Sequence, residues 1–263
     1  MAKKEVSKKT PHSRATPKKR IHLIDEVRGA AVILMIVFHI FFTAGEIYGC
    51  GLAHVIYEYL QIIEPVISVT FIFISGICTR LSRSNLKRGI ILFAIALGIN
   101  FITGMIIPEF AIRFGVINLL SVCMILYGLT EKLLERINPV VGLIISFVLF
   151  MLTWGINYGY IGVIGGYRLF ELPDSMYQTN YLFPLGFRNS TFRSGDYFPL
   201  FPWVFLFLSG SFFARLFNKK KLPKTFYKIH AKFLCLLGKY SLIIYIAHQP
   251  IIYGIFYAIE QIG

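Results

Sequence analysis

The sequence predicts an all-α protein: a polytopic integral membrane bundle of about seven transmembrane helices, N-terminus inside and C-terminus outside. Three observations carry this expectation. Of the 263 residues, 56% are hydrophobic and only 15% are charged, against about 25% charged in a soluble domain. The charges lie between apolar runs long enough to cross a hydrocarbon core of ~30 Å. Lysine and arginine collect in alternate connections, on one side of the predicted membrane.

Taken in order, the predicted spans are 27–48, 60–79, 89–107, 114–130, 139–157, 197–217 and 233–259. With the N-terminus inside, the inner segments hold nine Lys/Arg up to Arg28, four from Arg80 to Arg88, two at Lys132 and Arg136, and eight from Arg215 to Lys239. Only Arg113, Arg168, Arg188 and Arg193 of the 27 lie outside. This is the positive-inside pattern, which sets the orientation. It also accounts for the net charge of +14 without a nucleic-acid partner, so the partner expected is the lipid bilayer of the cell membrane.

Two regions follow. Residues 1–22 form a basic cytoplasmic tail, expected to be disordered and held near anionic headgroups; no apolar run of signal-peptide type precedes residue 27. Residues 23–263 form the transmembrane domain. Its one long connection, 158–196, is extracytoplasmic and rich in Gly, Tyr and Phe. Long loops inside compact domains are usually functional, and the aromatic content argues against disorder. A cap over an outward-facing cavity fits it best. Cys50, Cys78, Cys123 and Cys235 are scattered without a C-x-x-C pair, so neither a disulfide framework nor a metal site is expected.

Two histidines fall within spans at matching depth. A rise of ~1.5 Å per residue puts His39 about 16 Å beyond Arg28 and His248 about 14 Å above Lys239. Both lie near the midplane, where ionisable groups are costly and usually serve a site or a neighbouring helix. Ser241, Tyr245 and His248 share one helical face, as do His39, Thr43 and Glu46. In the second span Glu64, Ser68, Ser75 and Thr79 fall within one arc, with Ser68 and Ser75 read as packing residues. Asn100 and Asn118 extend the same polar interior. Pro250 frees the Ile246 carbonyl and allows a kink.

Burial disfavours imidazolium, so His39 is available as a base that takes a proton from an amine or hydroxyl, or as a nucleophile toward an acyl carbonyl. On the inner side, Arg80, Arg83, Lys87 and Arg88 are read equally as topology determinants or as a phosphate cradle, since guanidinium forks suit phosphoryl oxygens. A cradle inside and a capped cavity outside suggest acyl transfer.

Several runs carry a family resemblance. They are Arg20-Ile-His-Leu-Ile-Asp25-Glu-Val-Arg28-Gly29 continuing to Phe38-His39; Phe73-Ile-Ser75-Gly76; Gly195-Asp196-Tyr197-Phe198-Pro199-Leu200-Phe201-Pro202-Trp203; and Gly238-Lys-Tyr-Ser241 running to Tyr245 and His248-Gln249-Pro250. Together they resemble the heparan-alpha-glucosaminide N-acetyltransferase-like membrane family. The Arg28-x10-His39 spacing is also similar to the first helix of acyltransferase-3 proteins. The resemblance implies acetyl-CoA, or another acyl-CoA, as cytoplasmic co-substrate and a glycan or glycolipid amine or hydroxyl as outer acceptor; a homo-oligomer is allowed.

The resemblance maps the catalytic histidine onto His39, its arginine onto Arg28 and its CoA-site arginine pair onto Arg80 and Arg83, with Lys87 and Arg88 as rivals; taken together with the depth match, it gives the following expected roles. His39 would be the catalytic base, with His248 and Tyr245 orienting the acceptor or the oxyanion. Arg28, Arg80, Arg83, Lys87 and Arg88 would bind CoA phosphates. Glu64, Asp196, Trp203 and Gln249 would meet the acceptor. In place of the relatives' aspartate four residues after the histidine, this chain has Thr43, so Glu46 or Glu64 is expected to stand in. Two rival classes are a b-type cytochrome with one haem between His39 and His248, and a proton-coupled transporter using Glu64 and the histidines.

Overall fold

A computed structural model describes residues 20–82, 84–163, 166–217 and 222–262. The basic tail before residue 20 and Arg83 therefore lie outside the described residues. The chain builds nine α-helices among the described residues: α1 His22–Phe42, α2 Gly51–Leu60, α3 Glu64–Thr79, α4 Asn85–Ile106, α5 Val116–Leu134, α6 Pro139–Leu152, α7 Leu200–Leu216, α8 Lys232–Lys239 and α9 Ser241–Ile262. A π-helical turn, Thr43–Ile47, extends α1 without a break. Among the described residues the one sheet is a hairpin in the loop after α6, β1 Tyr160–Val163 against antiparallel β2 Tyr167–Glu171.

Among the described residues, five helical stretches are long and apolar enough to cross a membrane: His22–Ile47, Asn85–Ile106, Val116–Leu134, Pro139–Tyr158 and Ser241–Ile262. The helices α2 and α3 make a sixth if counted as one span bent by 52°, and α7 is a shorter apolar helix. The outward faces fit a lipid solvent. Ile90, Phe101 and Met105 of α4, Val140 and Ile144 of α6, and Ile243, Ile251 and Ile255 of α9 are all exposed. Such continuous apolar surface would not be stable in water. The protein is a multi-pass helical membrane protein.

The interior is centred on α3, α5 and α7, where Ile72, Leu119 and Phe207 are fully buried. Small residues bring helices together. A Cβ on Gly76 would collide with the Phe207 carbonyl, and one on Gly210 with the Phe73 carbonyl, so α3 and α7 approach backbone to backbone. Close approach through small residues is how membrane helices gain packing energy where lipid supplies no hydrophobic drive. The start of α6 is conventional: Asn138 Oδ1 accepts from the Val140 N–H at 2.9 Å, with Pro139 at the first helical position.

Two predicted spans need correction. Residues 233–259 are not one helix, because the chain breaks at Tyr240 between α8 and α9. The reason is packing: α8 lies against the start of α1, where a Cβ on Gly238 would strike the Asp25 carbonyl and one on Gly29 the Leu234 carbonyl. Glu26 fixes this arrangement by accepting from the His230 and Ala231 N–H groups at 2.6 and 3.1 Å. Span 197–217 begins its regular helix only after Phe201, whose backbone is extended (φ −92°, ψ 132°) and precedes a cis peptide to Pro202.

Candidate active site

A cavity of about 510 Å³ lies between α1, α3, α7, α9 and the loop before α7. His39, Glu64, Asp196, Trp203 and Tyr245 all line it. Five of the residues singled out in the sequence, drawn from four separate stretches of chain, thus converge on one chamber. Phe38, Phe42, Phe71 and Tyr57 add apolar walls.

His39 projects from the last turn of α1, just before the π-helical extension, among aromatic rings. Its imidazole meets Phe38 edge-on at 5.4 Å and Phe42 at 6.1 Å between centroids. The His248 ring lies 4.8 Å away, tilted by 56°, so the depth match between α1 and α9 corresponds to direct contact. His248 is buried and stands behind His39 rather than on the cavity wall. Its Nδ1 lies 2.6 Å from the Tyr245 carbonyl. A carbonyl only accepts, so Nδ1 carries the proton and Nε2 the lone pair. His39 Nδ1 and His248 Nε2 are both buried without a protein partner.

The haem rival fails on this spacing. Two nitrogens on opposite sides of one metal, with bonds of about 2 Å, hold imidazole centroids more than about 6 Å apart. Rings at 4.8 Å leave no place for a porphyrin between them.

Asp196 is the most heavily connected carboxylate of the site. Its Oδ2 accepts from the Val116 N–H at 3.1 Å and from the Tyr245 hydroxyl at 3.2 Å. The first bond caps α5 from a distant segment, since the residue at the cap position, Gly115, has no side-chain oxygen. The loop is pinned there by Phe198 N–H to the Phe114 carbonyl (2.9 Å) and Gly195 N–H to the Ala111 carbonyl (3.3 Å). Burial pushes the Asp196 carboxyl up to about 6; the Val116 and Tyr245 hydrogen bonds hold it down and the Glu64 charge adds a further rise. Tyr245 spends its single proton on Asp196, so in this arrangement it orients that carboxylate and has no second proton for an oxyanion.

The remaining residues sort by what they touch. Glu64 accepts from the Ser68 hydroxyl at 2.8 Å and faces the same cavity as His39. Ser75 and Thr79 bond the Phe71 and Gly76 carbonyls of their own helix. Asn100 donates to the Arg113 carbonyl and Asn118 accepts from the Gly115 N–H; both tie chain turns rather than line the large chamber. Trp203 reaches the cavity while packing on Trp154 at 5.6 Å and Phe150 at 5.8 Å.

Gln249 is corrected. It lies off the cavity and donates to the buried Thr43 hydroxyl at 3.2 Å, joining α9 to α1. Thr43 is thus a structural acceptor, and Glu46 is engaged with His54 at 2.7 Å; of Glu46 and Glu64, only Glu64 lines the cavity with His39.

The basic residues stand apart from the chamber; Arg28, Arg80, Lys87 and Arg88 do not line it. Arg80 pairs with Glu135 at 2.7 Å, which holds its guanidinium firmly charged. Lys87 and Arg88 are exposed at the start of α4. Arg28 keeps a buried Nε without a protein partner. Asn157, Tyr158 and Arg188 join the cavity lining unforeseen. Arg188, which stacks over the Tyr197 ring at 5.8 Å, was visible only as a charge in the long aromatic loop.

Neither a curated protein nor a solved structure matches the chain. The family model described as heparan-alpha-glucosaminide N-acetyltransferase, catalytic, matches residues 20–250. That range includes every cavity residue named above, and the chain belongs to this family of membrane acetyltransferases.

Proposed function

We propose that the protein moves an acetyl or short acyl group from acyl-CoA at its basic face to an amine or hydroxyl of a sugar at the opposite face, with His39 as general base. The observation that carries this reading is that His39 shares one cavity with Glu64, Asp196 and Trp203 while the buried His248 ring backs it from outside that cavity. Family membership supplies the reaction class and favours transfer over a proton-coupled transport cycle.

In this reading Arg28, Arg80 and Arg88, with Arg83 and Lys87, hold the CoA phosphates, while the pantetheine arm spans the ~16 Å from Arg28 to His39. The acceptor enters beneath the 158–196 loop and lies between Trp203 and the carboxylates. Its nucleophilic nitrogen or oxygen gives a proton to His39 as it attacks the thioester carbonyl; the C–S bond then breaks, and His39 passes that proton to the departing sulfur so that CoA leaves as the thiol. Where an acyl-histidine forms instead, the same ring attacks the thioester and expels CoA thiolate, and the acceptor then displaces the ring from the acyl carbon, its proton going to the thiolate. His248, fixed by its bond to the Tyr245 carbonyl, presents an acceptor nitrogen behind His39 and positions that ring. Asp196, oriented by Tyr245, accepts a hydrogen bond from the sugar.

Mass spectrometry of membranes with and without the protein tests the reading. A glycan or glycolipid heavier by one acyl group, present only with the wild type and missing with His39→Ala, is the expected result. Identical glycan profiles in all three membranes would refute it.

A further inference from the structure

Outside the cavity, the densest set of metal-type side chains lies at the basic end of α1. His22 opens the helix and Asp25 follows on the same face at an offset of three. Cys235 faces them from α8. The Cys235 Sγ stands 3.4 Å from His22 Nδ1, and one ligand atom from each of the three residues lies within 4.8 Å of the others. Asp25 is only 6% exposed.

The spacing has a physical meaning. In a tetrahedral site with metal–nitrogen bonds of ~2.05 Å and metal–sulfur bonds of ~2.3 Å, the nitrogen and sulfur stand about 3.5 Å apart. His22 and Cys235 already hold that separation. The donor set of one imidazole, one thiol and one carboxylate is the borderline-soft mixture that zinc accepts. The Arg20 Nε–H bonds the Asp25 carboxylate, the kind of outer partner that orients a ligating carboxylate. The backbones are close enough because Gly29 and Gly238 sit at the α1–α8 contact.

We propose that His22, Asp25 and Cys235 bind a thiophilic divalent cation of the zinc type, with a fourth position open to water. The site departs from the sequence expectation of no metal. No short motif announces it, because its ligands come from opposite ends of the chain, 213 positions apart. Seventeen residues of helix, about 25 Å, separate His22 from His39, so the cation takes no part in chemistry at that ring. It staples α8 to α1 and fixes the basic end of the helix that carries the catalytic ring. This holds whether or not the proposed transfer reaction does.

Cobalt(II) titration of the purified full-length protein in detergent tests it. One equivalent should give a thiolate-to-cobalt charge-transfer band in the near ultraviolet, and zinc should displace it. Cys235→Ser should lose the band, and Cys50→Ser, at an exposed thiol elsewhere, should keep it. His22→Asn and Asp25→Asn should each weaken cobalt binding at least about 10-fold, the low end of what even an outer-shell change costs; they also decide the matter if Cys235→Ser does not fold. No stoichiometric band, or a band that survives in the ligand variants, would overturn the proposal.

Discussion

Asp196→Asn separates what this carboxylate does for binding from what it costs the fold. Its carboxyl is pushed up to about 6 from the ordinary 3.8, chiefly by burial. That shift corresponds to roughly 3 kcal/mol, at most, of preference for the neutral acid. The sign follows from linkage. Between pH 3.8 and about 6 the folded protein holds this proton more tightly than the unfolded chain, so the stability contributed by Asp196 falls as pH rises through that window. Above pH 6 the folded protein carries a carboxylate its surroundings disfavour. Asparagine keeps an oxygen to accept from the Val116 N–H and the Tyr245 hydroxyl but carries no charge to desolvate. At pH 8 the variant should therefore melt higher than the wild type, and at pH 4 the two should melt alike. Transfer should behave oppositely. Wild-type activity should fall as pH drops through about 6, while Asp196→Asn should be impaired at pH 8 and lack that acid limb. Thermal melts and acyl-transfer rates between pH 4 and pH 8 read both. An Asn variant with wild-type activity and a lower melting point at pH 8 would refute the reasoning.

Other predictions concern the frame around the ring. Thr43→Val removes a fully buried hydroxyl and strands the Gln249 amide; a loss of about 1–3 kcal/mol is expected, and Gln249→Leu in the same background should recover much of it in denaturation measurements. Gly76→Ala places a Cβ against the Phe207 carbonyl and should cost about 1–3 kcal/mol through overpacking. Gly104→Ala on α4, which meets open space, should be neutral or slightly stabilising in the same melts.

Much of the frame is legible in the sequence, because an apolar run of 18 or more residues has few alternatives to a membrane helix. Counting from the basic edges places His39 and His248 at one depth, and the two rings are in contact. The reading falters where a tertiary contact overrides a local pattern. Residues 233–259 are apolar enough to read as one helix, yet Gly238 against the Asp25 backbone turns the first part aside as α8. The basic turn reads as a cluster of free cations, but Arg80 is engaged by Glu135, 55 positions away. Gln249 follows His248 directly, yet its amide is turned to Thr43 of α1 rather than to the cavity. Asn157 and Arg188 lie in irregular chain, where no periodicity says which way a side chain faces. The His22–Asp25–Cys235 cluster has ligands too far apart in sequence for any spacing rule.

The central claim is that the first-span imidazole accepts the acceptor's proton in a chamber open to both substrates. Proteoliposomes containing the purified protein, given labelled acetyl-CoA on one side and an amino-sugar acceptor on the other, test it most directly. Wild-type protein should label the acceptor across the bilayer, and His39→Ala, still folded by its melting profile, should lose at least about 100-fold in rate, the contribution of a positioned base. Undiminished labelling by His39→Ala would contradict the account.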